Sequence, residues 1–204
     1  MAYGYLVPAE THSNEIKIVD SRFICNIARA SSVDEARQFH ADVRAKMPDA
    51  SHHVYAFRVG YGNSVIEGRS DDGEPSGTAG PPVLAVLRGS EIGDVIVVVT
   101  RYFGGTKLGT GGLVRAYSEA ASTGLNSLKT ELKVERKTLG IECEYSLHEP
   151  IKRLVVQHNG VVDDEVFSAD VTILATFASE DISDFTDNLT ELTAGRIEPV
   201  VLSD

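Results

Sequence analysis

The sequence has 204 residues, of which 42% are hydrophobic, and this length favours two compact domains, each with its own core. No apolar stretch approaches the roughly 18 residues of a membrane span, and the N-terminal segment resembles no signal peptide, so we expect a soluble, cytoplasmic protein without a membrane partner. Only Cys25 and Cys143 are present, which indicates reduced, buried thiols and excludes a disulfide framework.

The charge is distributed unevenly along the chain. Residues 1–134 carry 15 acidic and 14 basic side chains, whereas residues 135–204 carry 15 and 5, and the two net charges of −1 and −10 give the total of −11. An acidic protein repels nucleic acid, but a nearly neutral first half can still present a local basic face. The second half would repel phosphate.

In the first half, residues 21–29 predict a strand, followed by a helix whose Ser32 and Glu35 have the spacing of a capping box and which ends at Pro48. A second strand is predicted over residues 54–59, and a short helix starts near Pro81 or Pro82. The β-branched run at residues 95–99 predicts a buried strand, and apolar spacing predicts a helix from Gly112. These elements form an α/β domain, assigned to residues 1–133.

The second half predicts the element order βαββαβ, assigned to a domain of residues 134–204 after a short linker at about 128–136. Leu139 to Tyr145 alternate like a half-buried strand, and a helix opens at Pro150 and closes at Gly160. Strands follow at residues 161–167 and 171–177, then a helix capped by Ser179 and a last strand from Ile197 to Leu202. This order is that of a ferredoxin-like α+β fold, with both helices on one face of an antiparallel sheet.

Eight of the 18 glycines fall in two short segments, SDDGEPSGTAG at residues 70–80 and RYFGGTKLGTGG at residues 101–112. The second lies between the buried strand and the helix, so unpaired amides and the positive end of a helix dipole meet there. This arrangement suits an anion, although a purely structural strand-to-helix turn is equally compatible with it. The spacing fits neither a P-loop, because Lys107 precedes Leu108 and Gly109, nor a dinucleotide fingerprint.

The second segment supplies the residues that we expect to bind an anion or RNA. Arg101 could hold a phosphate with two hydrogen bonds or pair with an acid of the first segment, and the Tyr102 ring could stack on a base. Lys107 and Arg115 would hold phosphates. The expected binding residues are Arg101, Tyr102, Gly104, Gly105, Thr106, Lys107, Gly109, Thr110, Gly111, Gly112 and Arg115.

The first segment contains three carboxylates that could act as a base or bind magnesium, but Asp-Gly and Glu-Pro are also typical of turns, and we favour loop ordering. His52 and His53 resemble a metal pair, yet adjacent strand residues point to opposite faces, so we expect structural roles, with one histidine facing the glycine-rich cleft. We expect no metal, no cofactor and no catalytic residue. The loop residues considered are His53, Asp71, Asp72, Gly73, Glu74 and Thr78.

The two glycine-rich segments resemble the IMPACT family, also called the YigZ family. The matches are residues 70–80 and RYFGGTKLGTGGLVRAY at 101–117, supported by SRF at 21–23 and by HH with YAFR at 52–58. The resemblance implies a first α/β domain shared with a small-subunit ribosomal protein and domain four of elongation factor G, and a ferredoxin-like second domain. It further implies kinship with eukaryotic regulators of translation.

The sequence therefore favours a non-catalytic, translation-associated regulator that binds RNA, the ribosome or a translation factor through its glycine-rich loop. One alternative is an enzyme in which the loop holds a nucleotide phosphate and Asp71, Asp72 or Glu74 binds a metal or moves a proton. Another is a protein-binding module in which the glycine motifs are only architectural.

Overall fold

A computed structural model describes residues 4–62 and 65–202 of the chain. These residues form two compact units, one of Tyr5–Lys133 and one of residues 134–202 together with Gly4. None of the helices in the described part of the chain is both long and apolar enough to span a membrane.

The first unit contains a five-stranded antiparallel sheet, a separate two-stranded sheet and three helices. Its strands are β1 (Gly4–Pro8), β2 (His12–Ile18), β3 (Ser21–Arg29), β4 (His52–Val59), β5 (Ile66–Ser70), β6 (Val95–Tyr102) and β7 (Thr130–Val134). Its helices are α1 (Val33–Lys46), α2 (Gly80–Arg88) and α3 (Gly109–Ser127). The large sheet has the order β2-β3-β6-β4-β5, and β1 pairs with β7.

Strand β6 is buried on both faces because it lies at the centre of this sheet. Val95, Val97 and Val99 belong to the core that α2 and α3 cover, and Ile96 and Val98 belong to the core that α1 covers. The continuous β-branched run is therefore what a strand between two helical layers requires. The end of β6 then leads into the second glycine-rich segment.

The second unit has the predicted ferredoxin-like topology. Its elements are β8 (Arg136–Cys143), α4 (Tyr145–Gln157), β9 (Val161–Phe167), β10 (Val171–Ala178), α5 (Asp181–Thr193) and β11 (Val200–Leu202). The sheet order is β11-β8-β10-β9, and residues of both helices belong to a single core. The fold class predicted from the sequence, α/β followed by ferredoxin-like α+β, is confirmed.

The predicted helix cap at Ser32 is also confirmed, but other details at element ends were wrong. Ser32 Oγ accepts from the amide of Glu35 at 3.1 Å. Pro150 lies inside α4 and does not begin it. Because proline has no N–H, the carbonyl of Ser146 lacks its helical hydrogen bond, but Ser146 is exposed and water can reach it. Ser179 does not cap α5, because its amide donates to the Glu135 carbonyl and Glu180 takes the cap position.

Several strands were not predicted from the sequence because they contain few apolar residues in an alternating pattern. Strands β1, β2 and β5 were not expected, and β7 lies within the segment assigned to a linker. β2 and β5 are the two edges of the large sheet, and edge strands keep polar side chains that obscure the alternation. The last strand begins at Val200 and not at Ile197, and α3 begins at Gly109, three residues before the predicted start.

Candidate functional site

The carboxylate of Asp71 holds the first glycine-rich segment closed. It accepts hydrogen bonds from the amides of Gly77 at 2.9 Å, Ala79 at 3.0 Å and Gly80 at 2.8 Å. Burial acts to raise the pKa of Asp71, but these three amides outweigh it and the pKa lies below its usual value. The amides at the start of α2 are therefore occupied by the protein itself and are not a vacant anion site.

Asp72 connects the same segment to the start of β4 through hydrogen bonds. Its Oδ2 accepts from the amide of His53 at 2.6 Å, and its carbonyl accepts a hydrogen bond from His52 Nδ1 at 2.7 Å. Asp72 and Gly73 both have positive φ angles, 43° and 86°, so the chain reverses sharply here. Thr78 closes the turn by donating from Oγ1 to the carbonyl of Pro75 at 2.6 Å.

Glu74 connects this loop to the second segment through buried charge. Its Oε1 accepts from Arg101 Nη1 at 2.6 Å and from the Tyr117 hydroxyl at 2.8 Å. Burial and the Glu74 carboxylate raise the pKa of Tyr117 far above its usual value, so the hydroxyl stays protonated and donates. Of the two roles considered for Arg101, the structure shows an ion pair with Glu74.

The guanidinium of Arg101 is enclosed on several sides. It lies 5.5 Å from the ring centroids of both Phe23 and Phe103, and Nη2 donates to Ser21 Oγ at 3.3 Å. Its Nε is buried and has no hydrogen-bond acceptor among the described residues. Arg101 pairs directly with His52 across β4 and β6, which brings His52 Nε2 within 3.9 Å of Glu74 Oε2.

The two neighbouring histidines point to different partners, as expected for adjacent strand residues. His53 is buried, and its Nε2 donates to the Met47 carbonyl at 3.0 Å, which assigns the proton to that nitrogen. Burial lowers the pKa of His53. His52, and not His53, is the histidine that faces Glu74. Within residues 4–62 and 65–202, no group of three or more His, Cys, Asp or Glu side chains is placed to hold a metal ion.

Most of the second segment is exposed, although Tyr102, Gly104 and Thr106 contact other parts of the protein. Tyr102 donates to Asp49 at 3.2 Å, and the Arg22 guanidinium lies over its ring, 5.2 Å from the centroid. Gly104 lies so close to Asp20 that a Cβ would be 2.0 Å from the Asp20 carbonyl oxygen. Thr106 donates to Asp20 Oδ2 at 3.2 Å.

The N-terminus of α3 has no side-chain cap. Gly109, Thr110 and Gly111 are exposed, and no hydrogen bond joins their amides to a side chain of the described residues. Gly105 and Gly109 have positive φ angles of 91° and 70°, which explains why glycine is needed there. Lys107 is exposed and forms no ion pair with any residue that the structure describes. This end of α3 thus combines vacant donors with a lysine.

A cavity of about 410 Å³ joins the two glycine-rich segments. Its walls combine the Glu74–Arg101 pair, the start of α3, Lys107 and an apolar surface. The lining residues are Glu74, Pro75, Arg101, Phe103, Lys107, Leu108, Gly109, Thr110 and Leu113. Arg115 does not share this cavity, because it lines a separate one of about 320 Å³ together with Glu119 and Gly112. The expected basic group is therefore divided between two cavities, with Arg101 and Lys107 in one and Arg115 in the other.

Sequence reasoning missed four residues that build this site: Ser21, His52 as the partner of Glu74, Phe103 and Tyr117. Phe103 stands within the second segment and could have been noticed as an exposed aromatic side chain among glycines. Tyr117 is a buried residue of α3, and only its hydroxyl contact with Glu74 distinguishes it from other core residues. The pairing of His52 with Arg101 follows from sheet order, which no local pattern encodes.

Comparison with known proteins places these features in a family. A family model described as the Impact N-terminal domain matches residues 19–125, which contain both glycine-rich segments, and a model described as a domain of unknown function (DUF1949) matches residues 141–196. The chain is 35% identical over 202 residues to IMPACT family member YigZ of Escherichia coli (strain K12), covering 98% of this chain and 99% of that protein.

Two further similarities extend the comparison. A crystal structure of a hypothetical protein, 36% identical, superposes with a TM-score of 0.71 and covers 100% of this chain and 99% of its own. Protein IMPACT of Danio rerio is 39% identical over 66 residues, which are 31% of this chain and 20% of that protein. Since a family model covers more than half of the chain and a bacterial relative matches almost all of it, the chain belongs to the IMPACT family.

Proposed function

We propose that this protein is a non-catalytic, translation-associated factor that binds RNA by holding phosphate groups at the N-terminus of α3. The observation that carries the proposal is that three exposed residues, Gly109, Thr110 and Gly111, begin a 19-residue helix that no described side chain caps. Such a helix end carries a partial positive charge and directs N–H groups outward, which favours a phosphate. Lys107 adds a full positive charge beside it.

Gly111 supports the proposal because no contact with the described residues requires a glycine there. Its φ angle is not positive, and a Cβ at this position would meet no atom within 4 Å. Glycine in a helix costs about 0.5–1 kcal/mol relative to alanine, so a glycine without a structural reason suggests that something must approach the backbone closely. A phosphate seated on the amides is such a group.

The acidic residues of the first segment are neutralised, so they do not oppose a phosphate. Asp71 is held by three amides, Asp72 lies 3.3 Å from Arg44, and Glu74 pairs with Arg101. These contacts also argue against an enzyme, because a metal ion or a proton transfer would have to displace the partners that each carboxylate already has. The role in translation is supported by family membership and by the match to Danio rerio Protein IMPACT.

Cosedimentation with ribosomes across a salt series tests the proposal. We expect the protein to pellet with ribosomes at low salt and to be released as salt rises, because phosphate contacts release counterions. Lys107→Ala should weaken binding and reduce the slope of log K against log salt by about 1. Lys129→Ala is the matched control, since Lys129 is an exposed lysine just beyond the far end of α3, about 28 Å away for 19 residues.

Two results would contradict the proposal. Equal losses for the Lys107→Ala and Lys129→Ala variants would mean that the loop is not the contact. A complex that survives moderate salt and contains no RNA would favour a protein-binding module instead. Binding of magnesium nucleotides can be followed by thermal unfolding, where a ligand at 100 times its dissociation constant adds about 2.7 kcal/mol of stability. A shift of that size would favour the enzyme.

A further inference from the structure

We infer that the cavity between the two glycine-rich segments receives the base of one unpaired nucleotide, so that the RNA held at α3 is single-stranded. The inference rests on the proposed function, because it assigns the base that accompanies a phosphate bound at the start of α3. The cavity volume of about 410 Å³ lies in the range of small-ligand sites, about 300–1,000 Å³.

The walls of the cavity supply what each part of a nucleotide needs. Gly109, Thr110 and Lys107 belong to the phosphate site, and the same wall continues into Leu108 and Leu113. Pro75 and Phe103 add apolar surface contributed by the two segments. An anionic group and a flat apolar group that are joined in one molecule would thus find adjacent positions.

Phe103 is the residue on which a base would stack. It exposes 48% of its surface although it is a large apolar side chain, and it lies next to the Arg101 guanidinium at 5.5 Å. Bases stack on aromatic rings without strong sequence preference, and an arginine beside the ring adds attraction. Tyr102, the aromatic residue expected from the sequence to stack, does not line this cavity.

Two charged residues, Glu74 and Arg101, also line the cavity. Arg101 is 95% buried, yet its Nε has no acceptor among the described residues, and Glu74 uses only Oε1 in its hydrogen bonds within that part of the chain. A base offers carbonyl and ring-nitrogen acceptors along its edge. In a duplex those edges are paired and the faces are stacked, so a base cannot enter a cavity without leaving the helix.

Fluorescence anisotropy with three labelled probes of equal length tests the inference: oligouridylate, an oligonucleotide of abasic residues, and duplex RNA. We expect oligouridylate to bind about tenfold more tightly than the abasic probe, which has the same phosphates but no bases. Phe103→Leu should abolish this difference, and Phe103→Tyr should preserve it. A 2-aminopurine base in the single strand should be quenched on binding to the unaltered protein and to Phe103→Tyr, but not to Phe103→Leu.

The outcomes separate this inference from the proposed function. If all three probes bind with equal affinity and Lys107→Ala still loses binding, the inference of an unpaired nucleotide is wrong and the proposed phosphate site stands. Absence of binding to every probe and to ribosomes at low salt would overturn both. If Phe103→Leu does not fold, the abasic comparison and 2-aminopurine quenching on the unaltered protein decide the question alone.

Discussion

Arg101 and Glu74 form a buried ion pair that joins the two glycine-rich segments. Nη1 of Arg101 lies 2.6 Å from Oε1 of Glu74, and their side chains expose only 6% and 4% of their surface. The hydroxyl of Tyr117 donates to the same carboxylate oxygen. The charge of Arg101, which the sequence suggested for a phosphate, is therefore used first to hold the protein together.

Removing one partner of this pair should destabilise the protein strongly. Arg101→Met keeps much of the side-chain volume but leaves the Glu74 carboxylate buried without its counter-charge, and we expect a loss of about 3–5 kcal/mol in the free energy of unfolding. Urea unfolding followed by circular dichroism measures it.

The double variant Arg101→Met with Glu74→Leu is the control. It removes both charges, and it should recover a large part of the loss, because an apolar pair carries no desolvation cost. A single-variant loss below about 1 kcal/mol, which is the size of an exposed ion pair, would contradict the burial of this contact.

Asp71→Asn should change how stability depends on pH. The pKa of Asp71 is lowered in the folded protein, so its carboxylate contributes stability above the unfolded pKa of about 3.9, and this contribution is lost as pH falls through the folded value. We expect Asp71→Asn to be less stable than the unaltered protein at pH 7 and the difference to shrink below about pH 4. Urea unfolding at a series of pH values measures this.

Asp34→Asn is the matched control for Asp71. Asp34 is an exposed aspartate in the first turn of α1 with 92% of its side chain accessible, and its pair with Arg37 is superficial. Its replacement should change stability by no more than about 0.5 kcal/mol. A difference between Asp71→Asn and the unaltered protein that stays constant from pH 7 to pH 3 would rule out the capping role.

Gly111→Asp should separate binding from stability. A carboxylate in the first turn of α3 interacts favourably with the helix dipole, so the free energy of unfolding should not fall. The same charge should repel phosphate and weaken RNA binding by about tenfold, or about 1.4 kcal/mol. Filter binding and urea unfolding measure the two effects.

Gly111→Ala is the control for the added Cβ. The methyl group meets no protein atom, so stability should rise by up to about 1 kcal/mol, and RNA binding should fall less than in Gly111→Asp. If Gly111→Asp binds RNA as well as the unaltered protein does, the amides of α3 are not the phosphate site.

Cys25 should resist thiol reagents in the folded protein. Burial raises its pKa to about 12, so the thiol is not ionised near neutral pH, and the side chain has no accessible surface that a reagent could reach. In a Cys143→Ser variant at pH 8, we expect labelling of Cys25 by iodoacetamide to occur only as fast as the protein unfolds. Rapid labelling under native conditions would contradict the burial of β3.

The core of each unit could be predicted from sequence because its elements carry strong periodic signals. The run from Val95 to Val99 and the alternation in residues 171–177 gave the right strands, and these strands lie at the centres or inner positions of their sheets. The edge strands β2 and β5 could not be recognised, since their sequences, HSNEIKI and IEGRS, contain few apolar residues.

The site was less predictable because it is built by long-range pairing. The segments that supply Glu74 and Arg101 could be identified, but which acid would meet Arg101 depends on the register of β4 and β6. The sequence also did not show that α2 is capped and α3 is not, because Asp71 accepts from the amide of Gly80, nine residues away in the chain. Only the three-dimensional structure distinguishes a loop whose donors are occupied from one whose donors are vacant.

Asp71 caps the start of α2, whereas the start of α3 is uncapped. Mutations in the two glycine-rich segments should therefore have different phenotypes. Alleles altered in residues 71–80 should be thermosensitive, because they weaken the folded state and recover at lower growth temperature. Alleles altered at Lys107, Thr110 or Gly111 should produce a protein of normal abundance and the same phenotype at every temperature. A mutant library sorted by temperature and protein level would therefore map the binding surface even while the bound molecule is unidentified.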